Sequence, residues 1–121
     1  MIKFDKIKIT PKKWGAEWEI DNNDKYCGKI LIFNKGASFS THMHRLKTET
    51  WYLLEGQLSI KYYDLSNADT FEKILNPGDV IKIPSGEPHK LTAILPSRVI
   101  EVSTTHYDSD SYRIEKGDSQ K

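Results

Sequence analysis

His42 and His44 stand two residues apart in GASFSTHMHRLKTETWYLLEG, residues 36–56, and an acid, Glu49, follows five residues after the second histidine. On an extended strand, residues i and i+2 point to the same face. The two imidazoles can therefore aim at one point. Glu49 comes back on or near the next strand, after the polar stretch 45–48. Two neutral ring nitrogens and a carboxylate that converge suit a divalent first-row metal ion. A fourth ligand is expected elsewhere in the chain, and His89 is the candidate.

These residues need strands to carry them, and the chain supplies a strand pattern almost throughout. Ile2, Phe4, Ile7 and Ile9 alternate with charged residues, with a slip at Asp5–Lys6, and predict a first strand that ends at Pro11. Trp14–Ile20 alternates again, and Asp21–Asp24 reads as a turn. Tyr26–Phe33 is an apolar strand, turned back at Asn34–Gly36. Ser38–His44 carries the two histidines, and Glu49–Leu54 follows. Glu55-Gly56-Gln57 reads as a tight hairpin turn into Leu58–Tyr63. Further strands are expected at Phe71–Leu75, Val80–Ile83, His89–Ile94 and Arg98–Thr104. The turns between them fall at Asn76–Asp79, Ser85–Pro88 and Pro96–Ser97. Tyr112–Glu115 is expected as a short strand or an arm, and the final residues are expected to fray. About ten short strands at regular spacing, with no convincing helix, is the pattern of an all-β sandwich or barrel.

The 121 residues suit one domain with a modest hydrophobic core. Its predicted layout is an N-terminal strand at 2–10, a core at about 26–105 and a C-terminal arm at 106–121. Lys plus Arg number 18 and Asp plus Glu 17, a net charge of +1, without the basic footprint of a nucleic-acid binder. The single cysteine, Cys27, lies in an apolar run and reads as a buried structural thiol. One cysteine allows no intramolecular disulfide and fits a reducing compartment. The N-terminus has no signal-peptide pattern and no stretch reaches membrane-spanning length, so a cytoplasmic protein with no membrane partner is expected.

Two motifs bear on the family. Gly36-x5-His42-x-His44-x4-Glu49-x6-Gly56 and Gly78-x5-Pro84-x-Gly86-x2-His89 match, spacing for spacing, the two motifs of the cupin superfamily. The chain resembles that family from about Lys35 to His89. One position departs: the Asn usual four residues after the second motif's histidine is Ala93 here, and that Asn is not a ligand. The resemblance implies a double-stranded β-helix, a jelly-roll barrel. It implies one divalent metal inside the barrel, held by His42, His44, Glu49 and His89. Zn, Mn, Fe, Co, Ni and Cu would all accept three imidazoles and a carboxylate.

A second resemblance reaches outward. Lys13-Trp14-Gly15-x-Glu17-Trp18 looks like the entry to the isomerase domain of type II mannose-6-phosphate isomerases. Ile100–Thr104, followed by Asp108-x-Asp110-x-x-Arg113, looks like that domain's ending. What this implies is a sugar or sugar-phosphate ligand and aldose–ketose isomerisation, in which a base moves a proton between adjacent carbons. Candidates for the base are His106, Lys90, Glu101 and Tyr52, and the sequence does not choose among them. Arg113 could grip a phosphate through its planar fork, or pair with a nearby acid on the surface. Trp51 and Tyr52 split across the two faces of their strand, so one of them, Trp51 in the substrate-binding reading, points into the bowl. The same ligand set would also serve a metal-dependent dioxygenase of small molecules, and a non-catalytic sugar-binding cupin is a third reading. The N-terminal strand, short of local partners, is expected to pair across the two-fold axis of a homodimer.

Overall fold

The computed structural model describes residues 1–115 and 117–118. Nine strands follow one another along the described residues: β1 (Lys8–Lys12), β2 (Gly15–Asn22), β3 (Cys27–Phe33), β4 (Thr41–His44), β5 (Glu49–Asp64), β6 (Asp69–Leu75), β7 (Val80–Ile83), β8 (His89–Ser103) and β9 (Ser111–Glu115). A 3-10 turn, Asp108–Asp110, precedes β9. No described helix is long and apolar enough to cross a membrane.

Alternation explains which way each strand faces. In β3 the odd residues Cys27, Lys29, Leu31 and Phe33 are buried and the even ones are half-exposed, as the period of two requires. Cys27 is a buried free thiol, as its apolar setting predicts. Lys29 interrupts this inward row, and its ammonium is met by Glu17 of the adjacent strand at 2.6 Å.

The strands form one curled antiparallel sheet, a jelly-roll barrel. One path runs β1-β2-β3-β8-β4-β9, and β5 joins β8 on one side and β6 and β7 on the other. The longest ladder joins β5 to β8, from Glu49↔Ser103 to Tyr62↔His89. Phe33, Leu58, Leu91 and Val99 are fully buried within the curl. Trp14 stacks on Phe33 with ring centroids 4.8 Å apart and belongs to this core.

Two expected turns are bends instead. Glu55-Gly56-Gln57 does not reverse the chain, and Pro96–Ser97 does not either, because β5 and β8 run on through them as paired strands. The register slips between Leu53 and Leu58, so both strands kink together. Gly56 has φ +96°, and a Cβ there would run into Ser97 Oγ and the Pro96 carbonyl and lie 2.6 Å from Ser97 Cα. The Ser97 hydroxyl fills the gap in the ladder, accepting from Gln57 N at 3.1 Å and donating to the Leu95 carbonyl at 2.7 Å.

The chain's two ends depart from expectation in opposite ways. The first strand begins at Lys8, not Ile2, and runs through Pro11 to pair with β2. Pro11 is tolerated because β1 is a sheet edge. Residues 1–7 pair with no strand, and Ile2 and Phe4 are exposed. The C-terminal arm is built into the barrel: β9 pairs with β4 from Thr41↔Glu115 to His44↔Ser111. Asp118 then clips Ser38 from both sides, accepting from Ser38 N and donating its own N–H to the Ser38 carbonyl. The predicted fraying at the very end falls on residues 119–121, outside the described residues.

Candidate metal centre

β4, β5 and β8 bring the four predicted ligands together. His42 is the residue of β4 that pairs with His89 of β8, and their ring centroids lie 4.6 Å apart. His44, two residues along, sits 5.1 Å from His42, centroid to centroid. Glu49 opens β5, and its Oε2 stands 3.7 Å from His44 Nε2 and 3.7 Å from His89 Nε2.

Each histidine is oriented by a backbone carbonyl. The Nδ1–H of His42 donates to Ser40 O at 2.8 Å, that of His44 to Asp110 O at 3.2 Å and that of His89 to Glu87 O at 2.9 Å. These partners assign the proton to Nδ1 and leave Nε2 as a bare lone pair, the arrangement that suits a metal-ligating imidazole. Burial is the main reason the rings stay neutral. It lowers the pKa of His42 to about 3, helped by nearby His89, and that of His44 to about 4, helped by Lys47. Burial likewise lowers that of His89.

Glu49 divides its two oxygens. Oε1 accepts from Trp51 Nε1 at 3.2 Å and pairs with Lys47 Nζ at 3.3 Å. Oε2 has no hydrogen-bond partner, and neither has His89 Nε2, although both atoms are buried. Buried polar atoms are rarely left unpaired. Two of them face each other across 3.7 Å, with a third lone pair on His44 beside them, a donor set of the chemistry that suits a cation. Among the described residues, no group of three or more His, Cys, Asp or Glu side chains is closed tightly enough to hold an ion as it stands. Ligands about 2.1 Å from a common ion stand about 3.4 Å apart at tetrahedral angles, so the two Glu49–histidine spacings of 3.7 Å are a few tenths of an ångström wider than those of a ligand shell. The donors therefore fit a first-row divalent ion, with nitrogen and oxygen ligands and no thiolate.

His42, His44 and Glu49 line a bowl of about 500 Å³, whereas His89 does not. Arg113, Trp51, His106 and Glu101 also line it, whereas Tyr52 and Lys90 do not. Tyr52 is on the opposite face of its strand from buried Trp51 and is exposed. Arg113 is the β9 partner of His42, which sets it at the rim beside the centre. His106 Nδ1 accepts from Lys47 Nζ at 3.2 Å, and its Nε2–H donates to Asp108 Oδ1 at 3.1 Å.

Lys47 and Lys29 have no place in the sequence motifs, and Glu17 and Asp110 enter there only as motif residues without a role. Lys47, 3% exposed, reaches Glu49 Oε1 and also Glu101 Oε2 at 3.5 Å. Glu49 is thereby held charged: burial opposes ionisation, but Lys47, His89 and His44 bring its pKa to about 2. Glu101 goes the other way. Burial, then the charge of Glu49, raises its pKa to about 7. Lys47 lies two residues before Glu49, and that spacing was the available signal. The Lys29–Glu17 pair also lines the bowl, and its signal was a lysine at an inward position of an apolar strand. The Asp110 carboxylate accepts from the backbone N–H groups of Arg45, Leu46 and Lys47.

Comparison with known proteins agrees with this fold. Residues 29–103 match the family model described as the cupin domain. Mannose-1-phosphate guanylyltransferase 2 of Escherichia coli O157:H7 is 30% identical over 98 residues, which is 79% of this chain and 19% of that protein. Among solved structures, CapF, a capsular polysaccharide assembling protein of Staphylococcus aureus, superposes with a TM-score of 0.80 at 18% identity, over 93% of this chain and 32% of that one. Oxalate decarboxylase of Bacillus subtilis superposes with a TM-score of 0.79 at 18% identity, over 89% and 30%, and its Mn(II) centres have been studied by EPR. The chain spans about a fifth of the curated relative and about a third of these structures.

Proposed function

We propose that this chain, which belongs to the cupin family, holds one divalent metal ion through His42, His44, Glu49 and His89 and acts on a sugar phosphate as an aldose–ketose isomerase. One observation carries the metal reading: Glu49 Oε2 and His89 Nε2 are buried, have no hydrogen-bond partner and stand 3.7 Å apart. The sugar-phosphate reading draws on the curated relative, whose name places it in mannose phosphate chemistry. It is also supported by where the outer motifs fall. Trp14, Glu17, Glu101, Asp108 and Arg113, which carry the resemblance to the isomerase domain, all line the bowl.

A bound divalent ion would act as a Lewis acid, polarising the substrate carbonyl and favouring loss of the neighbouring carbon-bound proton. The residues of the chain do the rest. Arg113 at the rim binds the phosphate with its planar fork. Trp51, held by its indole N–H on Glu49, presents an aromatic wall to the sugar. The proton between adjacent carbons is carried by His106 and Glu101, the two of the four candidate bases that line the bowl. His106 is kept neutral by burial and by the charges of Lys29 and Lys47, and accepts a proton at Nδ1 when its contact with Lys47 opens. Glu101, with its pKa near neutrality, can give one up or take one. Lys90 and Tyr52, outside the bowl, take no part.

Metal analysis of protein purified without chelator, with His44→Ala as control, tests the centre, and a mannose-6-phosphate to fructose-6-phosphate assay tests the reaction. The expected result is about one equivalent of divalent metal in the wild type, little in the variant, and turnover only in the loaded wild type. Wild-type protein that takes up no divalent ion overturns the reading at its base. A loaded protein that binds the sugar phosphate without converting it reduces the function to binding.

A further inference from the structure

We propose that Asp110 is a positioning residue of the metal centre, fixing the link that joins two ligands and the tautomer of one of them. The inference rests on the metal reading above. β4 ends at His44 and β5 begins at Glu49, so a link of four residues, 45–48, sets where both ligands stand. Three successive N–H groups of that link point at one carboxylate. Asp110 Oδ1 accepts from Arg45 N at 2.9 Å and Leu46 N at 3.0 Å, and Oδ2 accepts from Lys47 N at 3.0 Å. Left unpaired beside the barrel, these amides would favour another conformation of the link.

The same residue acts on His44 through a different atom. Its backbone carbonyl takes the Nδ1–H of His44 at 3.2 Å, which leaves Nε2 free to face Glu49 Oε2. Asp110 is itself 3% exposed, delivered by the 3-10 turn and anchored by the adjacent Ser111↔His44 pair of β9 and β4. Fixing the link also places Lys47, whose ammonium occupies Glu49 Oε1 and so turns Oε2 toward the histidines. Asp110 touches none of the four metal-facing atoms and acts on two of them through their neighbours.

The two actions separate by mutation. Asp110→Asn keeps the backbone carbonyl and the size of the side chain but turns one acceptor oxygen into an NH2 that faces the link's own donors. Titration of the chelator-stripped protein with Co(II), read by calorimetry and by the visible d–d bands, is the test, with thermal unfolding of the metal-free protein run alongside. Asp110→Asn is expected to bind Co(II) 10- to 100-fold more weakly, the range seen when groups supporting a metal ligand are altered, and to shift the d–d bands. Asp64→Asn, a carboxylate that likewise accepts a backbone N–H but sits at the far end of β5, is expected to match the wild type. Wild-type affinity and bands in a folded Asp110→Asn protein overturn the assignment alone. A wild type that takes up no Co(II) overturns the metal reading and this inference with it. If Asp110→Asn does not fold, Asp110→Ser, which keeps one acceptor on a shorter side chain, is read in the same way.

Discussion

Replacing Lys47 by methionine removes a buried cation that stands between two carboxylates. Its Nζ lies 3.3 Å from Glu49 Oε1 and 3.5 Å from Glu101 Oε2. With an effective dielectric of about 20, each contact is worth about 5 kcal/mol of Coulomb attraction, set against a desolvation cost of several kcal/mol per ion. Breaking a buried pair by removing one partner usually costs about 3–5 kcal/mol, because the remaining charge stays buried. Lys47→Met should therefore destabilise the metal-free protein by about 3–5 kcal/mol at pH 8. The sign of its pH dependence follows from Glu101. That carboxyl already has its pKa raised to about 7 in the folded chain, against 4.5 ordinarily, and losing the ammonium raises it further. A raised carboxyl favours folding at low pH and loses that contribution as pH climbs through its folded pKa. The penalty of the variant should thus shrink toward pH 5 and grow toward pH 8. Urea denaturation at both values, in the presence of chelator, measures it. A divalent ion would restore positive charge beside Glu49, so the rise in Tm on adding metal should be larger in the variant than in the wild type. A variant within 1 kcal/mol of the wild type at both pH values would refute the electrostatic account of the bowl.

Acid should weaken the metal-free fold through its histidines while Glu49 is still charged, with protonation of Glu101 near pH 7 offsetting part of the loss. His42 and His44 remain neutral in the folded chain down to about pH 3 and about pH 4, whereas the unfolded rings take up protons below about 6.5. Stability is therefore lost as pH falls from 6.5 toward 4, by about 3 kcal/mol per ring at about 1.4 kcal/mol per pKa unit, and a urea midpoint unchanged between pH 6.5 and pH 4.5 would contradict this. Gly56→Ala places a methyl group against backbone atoms of the partner strand at a positive φ. It should cost at least 3 kcal/mol, read as a shift in thermal midpoint. Tyr52→Phe and Lys90→Met lie outside the bowl and should leave metal affinity by calorimetry, and turnover if it is found, within twofold of the wild type.

Local pattern was enough wherever the answer was local. Period two puts His42 and His44 on one face whatever the strand pairs with, and the apolar run of β3 identifies a buried strand without its neighbours. The misreadings have a shared cause. Glu55-Gly56-Gln57 carries the residue of a reversal, but a glycine with positive φ serves equally to bend a strand that continues, and only the presence of β8 alongside decides between the two. Ile2–Ile9 alternates well enough for a strand, yet a strand needs a partner for its N–H and C=O groups, and residues 1–7 have none in this chain. Lys47 and Asp110 were hidden because their roles are relations. A lysine two residues before an acid is unremarkable until burial removes water from both, and an aspartate 63 residues from Lys47 in sequence accepts its N–H only once the arm has docked.

The β5–β8 ladder has a bearing on how the centre could be filled in a living cell. Glu49 and His89 sit near opposite ends of that ladder, about 40 Å apart along the strand at 3.3 Å per residue, and they meet only because the kinked ribbon curls back on itself. A ribosome would release His42, His44 and Glu49 well before His89, and Asp110 later still. No early fragment could assemble the full set of donors, so the proposed four-ligand centre would form only on closure of the barrel. Loading of the proposed centre would then be a late event in the protein's maturation, open to competition among whichever cations surround the folded chain.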